Sequence, residues 1–250
     1  RGTGSGREAG RLWVREVKAW HLDDDGRLVC VAPEALWGVA LEERQPPTDP
    51  VAYHGRQGKL TDWWSATTGT LVVCGSKRRT YVATELDFDP AISRFAGEPV
   101  ELHWEQGRIR HRWRPDFLAL TRDQQRQAVV LAPHRMGPQW RERLAALREV
   151  AAQAGWSVCV RVVPHGVRRE NLLLVADFRQ PAVCDQAHER ALLAAFRRPR
   201  PLQEGVLASG VSEYLGRDHV HRLIWRRLLD IDWSRPLLPF SPVWAARGQR

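Results

Sequence analysis

The sequence predicts a mixed α/β protein with a β-rich N-terminal extension, an α/β core and a C-terminal module built from helices. Three observations carry that expectation. Val100–Trp104 and Arg108–Trp113 alternate around Gln106-Gly107, which is hairpin chemistry. Pro138–Gly155 sets Trp140, Leu144, Leu147 and Val150 at helical spacing and stops at a glycine. From about Ala187 onward the pattern turns helical throughout.

Taken in order, residues 1–10 are Gly- and charge-rich and are expected to be disordered. Leu12–Glu43 reads as short strands, with Asp23-Asp24-Asp25-Gly26 as a turn into Arg27–Ala32. That acidic triplet lacks the rest of a calcium loop. The prolines of Gln45–Pro50 mark a linker. Gly75–Leu86 has a helical pattern with Tyr81, Val82 and Leu86 on one side, ended by Asp87-Phe88-Asp89-Pro90. Phe117–Leu120 and Gln127–Leu131 form a strand pair, Ser157–Val163 a strand and Arg168–Phe178 a helix.

Beyond Pro181, Ala187–Arg197 and Leu202–Ala208 are helices, Val211–Leu229 contains a third, and Asp230–Val243 is a short extended tail. Three helices and such a tail suit a winged-helix module. The predicted divisions are therefore a disordered start (1–10), an N-terminal β extension with its linker (11–50), the α/β core (51–181) and an all-α winged-helix domain (182–250).

A chain of 250 residues can hold one large domain or two small ones, and a hydrophobic share of 43% is ordinary. A net charge of +9 and a pI near 10.2 favour an acidic partner, nucleic acid first. Lys18, Lys59 and Lys77 are the only lysines, and a GC-rich coding bias accounts for that as well as selection for guanidinium does. Cys30, Cys74, Cys159 and Cys184 have no CxxC spacing and sit in or beside apolar runs, which predicts buried free thiols in a reducing cytosol. No apolar run has the length of a membrane span and no signal peptide is visible, so a cytoplasmic protein without a membrane partner is expected.

Chemistry concentrates in Trp63–Leu120. This stretch holds Trp63-Trp64-Ser65-Ala66-Thr67-Thr68-Gly69, Leu86-Asp87-Phe88-Asp89-Pro90 and Arg112-Trp113-Arg114-Pro115-Asp116-Phe117. A Pro-Asp step at a strand, followed by a hairpin and a second strand, is where many nucleases place a carboxylate for Mg²⁺. Such a site needs a second acid and a cation on the next strand. Here that strand reads Ala128-Val129-Val130-Leu131-Ala132-Pro133, with neither.

Together with Glu98-Pro99, Ala154-Gly155-Trp156, Arg198-Pro199-Arg200-Pro201-Leu202 and Leu223-Ile224-Trp225, these pieces resemble the TnsA-like endonuclease subunits of heteromeric transposases, especially the actinobacterial type. The resemblance runs from roughly Asp25 to Ala245. It implies a restriction-endonuclease-like core that cuts one strand at each transposon end, Mg²⁺ as cofactor in active members, and an integrase-fold transposase as partner. It also implies a helix glutamate, a strand-end aspartate and an acid/glutamine-x-lysine/arginine pair.

On this sequence the aspartate falls on Asp116, the helix glutamate on Arg79, the final pair on Leu131 and Pro133, and a flanking glutamate on Gly75. Arg79 would repel a divalent ion, and Pro133 has neither an ammonium group nor a backbone N–H. Glu85, about 240° around a helix from Arg79, faces elsewhere. Glu98 could substitute only through a different backbone route. The expectation is a degenerate nuclease centre, with Asp116 as catalytic remnant and weak metal ligand, and Mg²⁺ required only if activity survives.

Double-stranded DNA is the expected ligand. On Arg217–Leu229, Val220, Leu223, Ile224 and Leu228 share one face, while Arg222 and Arg226 lie opposite, as on a recognition helix. Arg217 and Arg227 are further DNA-binding candidates, Arg198 and Arg200 could add backbone contacts, and Arg78 and Arg79 could hold a phosphate on the old active-site face. Two further readings stay open: a non-catalytic DNA-binding or scaffold protein in regulation or defence, and an active nuclease with a relocated metal site. The histidines, including His103, His111, His134, His219 and His221, have no zinc-ligand spacing and are expected to be structural or surface residues.

Overall fold

The computed structural model of the protein describes residues 15–47, 61–180 and 185–246. The expected disordered start, the second half of the Gln45–Pro50 linker, the boundary at Pro181 and Cys184 lie outside the described residues.

The chain opens with β1 (Arg15–Leu22) and β2 (Leu28–Val31), joined by the predicted acidic turn. There Asp23 Oδ1 accepts hydrogen bonds from the Asp25 and Arg27 amides, and Gly26 supplies a φ of 74°. Instead of further strands, Pro33–Gly38 and Leu41–Glu43 follow as 3-10 turns. β3 (Asp62–Trp64) and β4 (Leu71–Val73) make a two-stranded ribbon. α1 (Lys77–Phe88) buries Val82 and Leu86, as their spacing predicts. Periodicity gives no sign of β5 (Ile92–Gly97), which mixes buried residues on both faces.

β6 (Glu101–Gln106) and β7 (Ile109–Trp113) are the expected hairpin, paired from Leu102–Trp113 to Gln106–Ile109. β8 (Phe117–Thr121) and β9 (Arg126–Leu131) form the second antiparallel pair. α2 (Pro138–Ala154) has a proline in its first turn and ends at Gly155, where φ is 70°. β10 (Ser157–Arg161), α3 (Gly166–Ala176) and α4 (Gln186–Ala195) come next. β11 (Arg200–Pro201), α5 (Leu202–Ser209), α6 (Glu213–Trp225), β12 (Leu229–Ile231) and β13 (Pro242–Ala245) complete the chain.

Two compact units interleave along the sequence. The first comprises Arg1–Asp62, Val72–Lys77 and Ala91–Val162; the second comprises Trp63–Leu71, Arg78–Pro90 and Val163–Arg250. The fold is mixed α/β.

In the first unit an antiparallel sheet runs β2-β1-β6-β7, and a second runs β10-β9-β8-β5. Only β9 and β10 are parallel, because α2 carries the chain between them. One core serves both sheets: Val17, Ala19, Leu102 and Trp104 meet Leu118, Ala128 and Val130, with Ala146, Leu147, Val150 and Ala151 of α2. A Cβ on Gly155 would stand 2.9 Å from the Trp37 ring, so that position must stay small as well as left-handed.

In the second unit α4, α5 and α6 bury Leu192, Phe196, Val206, Val220, Leu223 and Ile224. Their close approach requires small residues, since a Cβ on Gly205 would overlap the Phe196 ring and one on Gly216 would reach Val206. Phe88, at the end of α1, meets the rings of Trp225 and Trp233, each at 5.2 Å. Asn171 of α3 donates to the Arg235 carbonyl and accepts from the Leu237 amide, fixing the loop between β12 and β13.

The C-terminal segment corrects the expectation of an all-α module. Three short strands pair antiparallel in the order β11-β13-β12. They are two to four residues long, too short to leave a period-two signature. The predicted thiols also divide: Cys74 is buried, Cys159 intermediate and Cys30 exposed.

Candidate functional site

Asp116 stands just before β8 and is 8% exposed. Because β8 pairs with β9 so that Phe117 faces Val129, its carboxylate reaches the end of β9. Oδ2 accepts a hydrogen bond from the Leu131 amide at 2.7 Å. The two positions that the resemblance assigns to one site are therefore neighbours in space, but Leu131 and Pro133 offer no side-chain oxygen or nitrogen.

Glu98, immediately after β5, donates its amide to the Asp116 carbonyl at 3.1 Å. It is buried and holds a left-handed φ of 50°, an uncommon conformation for a side chain of this kind. Sequence spacing gave Glu98 little weight, since only strand pairing brings it beside Asp116. Mg²⁺ takes about six oxygen ligands, usually one or two carboxylates with waters filling the rest, and Ca²⁺ takes more protein oxygens. Among the described residues no group of three or more His, Cys, Asp or Glu side chains is placed to hold one. Strand pairing brings Asp116 and Glu98 together through their backbones, and Leu131 and Pro133 add no further side-chain oxygen.

Arg78 is exposed and Arg79 half-buried on the first turn of α1. They belong to the second unit, Asp116 to the first.

The Trp63-Trp64-Ser65-Ala66-Thr67-Thr68-Gly69 loop is organised by another acid, Asp87. Its carboxylate is buried and accepts from Trp63 Nε1 at 2.9 Å, Ser65 Oγ at 2.7 Å, the Ala66 amide at 3.0 Å and the Thr67 amide at 2.8 Å. The Thr67 hydroxyl also donates to the Asp87 carbonyl. The Arg179 guanidinium lies 3.9 Å from the Trp63 ring centre and donates to the Trp64 carbonyl. Burial lowers the Arg179 pKa, opposed by the charge of Asp87. These groups form a scaffold, with Asp87 fully engaged by donors.

α5 and α6 are joined by Gly210-Val211-Ser212, a three-residue turn containing glycine. The exposed part of α6 is its N-terminal half: Tyr214 is 81% exposed, and Glu213, Leu215 and Arg217 are also open. Arg217 pairs with Glu213 one turn back at 3.3 Å. An open groove of about 350 Å³ lies along Glu213, Tyr214, Arg217 and Asp218.

The C-terminal half of α6 is more enclosed. Arg222 is half-buried and its Nη1 donates toward His219 Nδ1 at 3.3 Å. Arg226 pairs with Glu189 of α4 at 2.6 Å. Arg227 holds a φ of 59° in a Schellman ending, with the Arg227 amide bonded to Ile224 and the Leu228 amide to Leu223. Its guanidinium donates to the Phe88 carbonyl and lies 4.1 Å from that ring. Arg198 is exposed before β11, and Arg200 pairs across to Val243. Tyr214 went unnoticed in the sequence; the Gly210-Val211-Ser212 turn is the signal that would have pointed to it.

His219 and His221 are buried, so they are structural rather than surface groups. Burial pushes the His221 pKa down, aided by Arg217 and opposed by Asp218. Burial also lowers His219, with Arg222 and His188 adding to the fall. No described helix is long and apolar enough to cross a membrane.

Compared with known proteins, the chain matches no family model and no curated protein.

Proposed function

We propose that this protein is a DNA-binding subunit of a heteromeric transposase of the TnsA-like kind, which engages element-end duplex DNA beside an integrase-fold transposase through a C-terminal winged-helix module. Its restriction-endonuclease-like core carries an inactive nuclease centre and needs no Mg²⁺. The observation that supports DNA binding is the element order α4–β11–α5–α6–β12–β13, with sheet order β11-β13-β12 and a glycine-containing turn leading into α6. In this reading the exposed N-terminal half of α6 enters the major groove, and Tyr214 and Arg217 reach the DNA. Arg222, Arg226 and Arg227, which are held by His219, Glu189 and Phe88, serve the module's own structure before any phosphate. Arg198 and Arg200 remain candidates for backbone contacts.

Support for an inactive centre comes from the Asp116 corner, where the neighbouring strand contributes an amide and apolar side chains. A relocated metal site is the second reading, favoured by the buried, left-handed Glu98 beside Asp116.

Fluorescence anisotropy with a labelled duplex in low salt tests the DNA-binding part. For duplex of arbitrary sequence, binding is expected at about 10⁻⁴–10⁻⁶ M at physiological salt, tightening steeply as salt is lowered. Replacing Tyr214 and Arg217 with alanine is expected to weaken it more than Arg226→Ala does. Absence of duplex binding at low salt would refute the proposal.

A further inference from the structure

We propose that the outer face of the β2-β1-β6-β7 sheet binds single-stranded nucleic acid, with Trp20 stacking on a base and the Lys18–His103–Arg112 row holding the phosphodiester chain. Alternation puts Val17, Ala19, Leu102 and Trp104 on the core side. Lys18 and Trp20 of β1, His103 and Glu105 of β6, and Arg110 and Arg112 of β7 therefore share the opposite face. Lys18 pairs across to His103, and His103 to Arg112, so three basic side chains cross three strands in one row. At about 4.8 Å per strand, that row spans roughly 10 Å.

The acids on this face already have hydrogen-bonding partners. Glu101 accepts from His103 Nε2 at 2.5 Å and from Arg114 Nε at 2.8 Å. Glu105 pairs with Arg110 at 3.0 Å. Lys18 and Arg112, both exposed, have no carboxylate partner among the described residues. Lys18 and Arg112 stand at the two ends of the row without such a partner, so an anion laid between them is favoured.

Trp20 adds the second ingredient. It is half-buried with its ring 5.6 Å from the His103 ring, tilted by 35°. An open groove of about 420 Å³ runs over Trp20, His103, Lys18, Arg110 and Arg112. A positive groove that carries an aromatic platform suits an unpaired strand, whose bases are free to stack; a duplex hides those faces. An acidic peptide would use the cations but leave Trp20 without a role. This site lies in the first unit and is independent of α6.

The test is anisotropy of a fluorescein-labelled thymidine oligomer with the full chain. Trp20→Ala is expected to weaken binding about 5- to 150-fold, the span reported for loss of one stacked base. Trp20→Phe should retain most of the affinity. Replacing Lys18 and Arg112 with alanine should flatten the salt dependence by about 1.4 in log–log slope, at about 0.7 per phosphate contact. The Tyr214 and Arg217 variants should leave oligomer binding unchanged, and Trp20→Ala should leave duplex binding unchanged, so the two sites can fail separately. The proposal is overturned if Trp20→Ala has no effect on oligomer binding, if an abasic oligomer binds as tightly, or if polyglutamate binds this face and the oligomer does not.

Discussion

The Leu131 amide donates to Asp116 Oδ2 at 2.7 Å, which ties the acid expected to hold a metal to the backbone of the next strand. Loss of that acceptor leaves a part-buried N–H without this partner. Asp116→Ala is therefore expected to lower stability by about 1–3 kcal/mol in urea denaturation while leaving duplex binding intact. Asp116→Asn, which keeps an acceptor oxygen, should cost less.

Asp87 holds the Trp63–Gly69 loop through four donors. Asp87→Ala would strand all of them at once, and a loss of about 3 kcal/mol or more is expected. Thermal and urea unfolding both report it. A stability within experimental error of wild type would show that the loop does not depend on this carboxylate.

Arg227 combines a left-handed backbone with two guanidinium bonds to the Phe88 carbonyl. Arg227→Ala and Arg227→Gly remove the same bonds, but only alanine keeps the backbone penalty. The glycine variant should therefore be more stable than the alanine variant by about 1 kcal/mol. Equal stabilities would contradict the left-handed assignment.

His219 and His221 have folded-state pKa values below their ordinary value of 6.5, chiefly because they are buried. As pH falls below that value, the unfolded chain binds these protons first, so stability present at neutral pH is lost toward acid. The urea midpoint should fall below about pH 6.5. His221→Gln should flatten that decline; an unchanged pH profile would remove His221 from the explanation.

Much of the fold was legible in the sequence because its signals are local. The β6–β7 hairpin follows from alternation around Gln106-Gly107, and α2 from apolar spacing closed by Gly155. Features that depend on distant pairing were not legible. β5 mixes buried residues on both faces, and β11, β12 and β13 are too short for a period. Asp87 reads as ordinary helix-end chemistry, since its partners lie twenty or more residues away. Helical spacing sets Arg222 and Arg226 opposite the apolar seam, but it carries no information about α4, whose Glu189 meets the exposed Arg226 just beyond α6. The Pro-Asp step singles out Asp116, and the sequence names Glu98 as a substitute acid without placing it; strand pairing sets it beside Asp116.

Supercoiled plasmid mixed with the protein in Mg²⁺ or Mn²⁺ gives the most direct test of binding without cleavage. The account predicts plasmid retarded on a gel yet still fully supercoiled once the protein is removed. Nicked or linear product that disappears with Asp116→Ala or Glu98→Gln would contradict it.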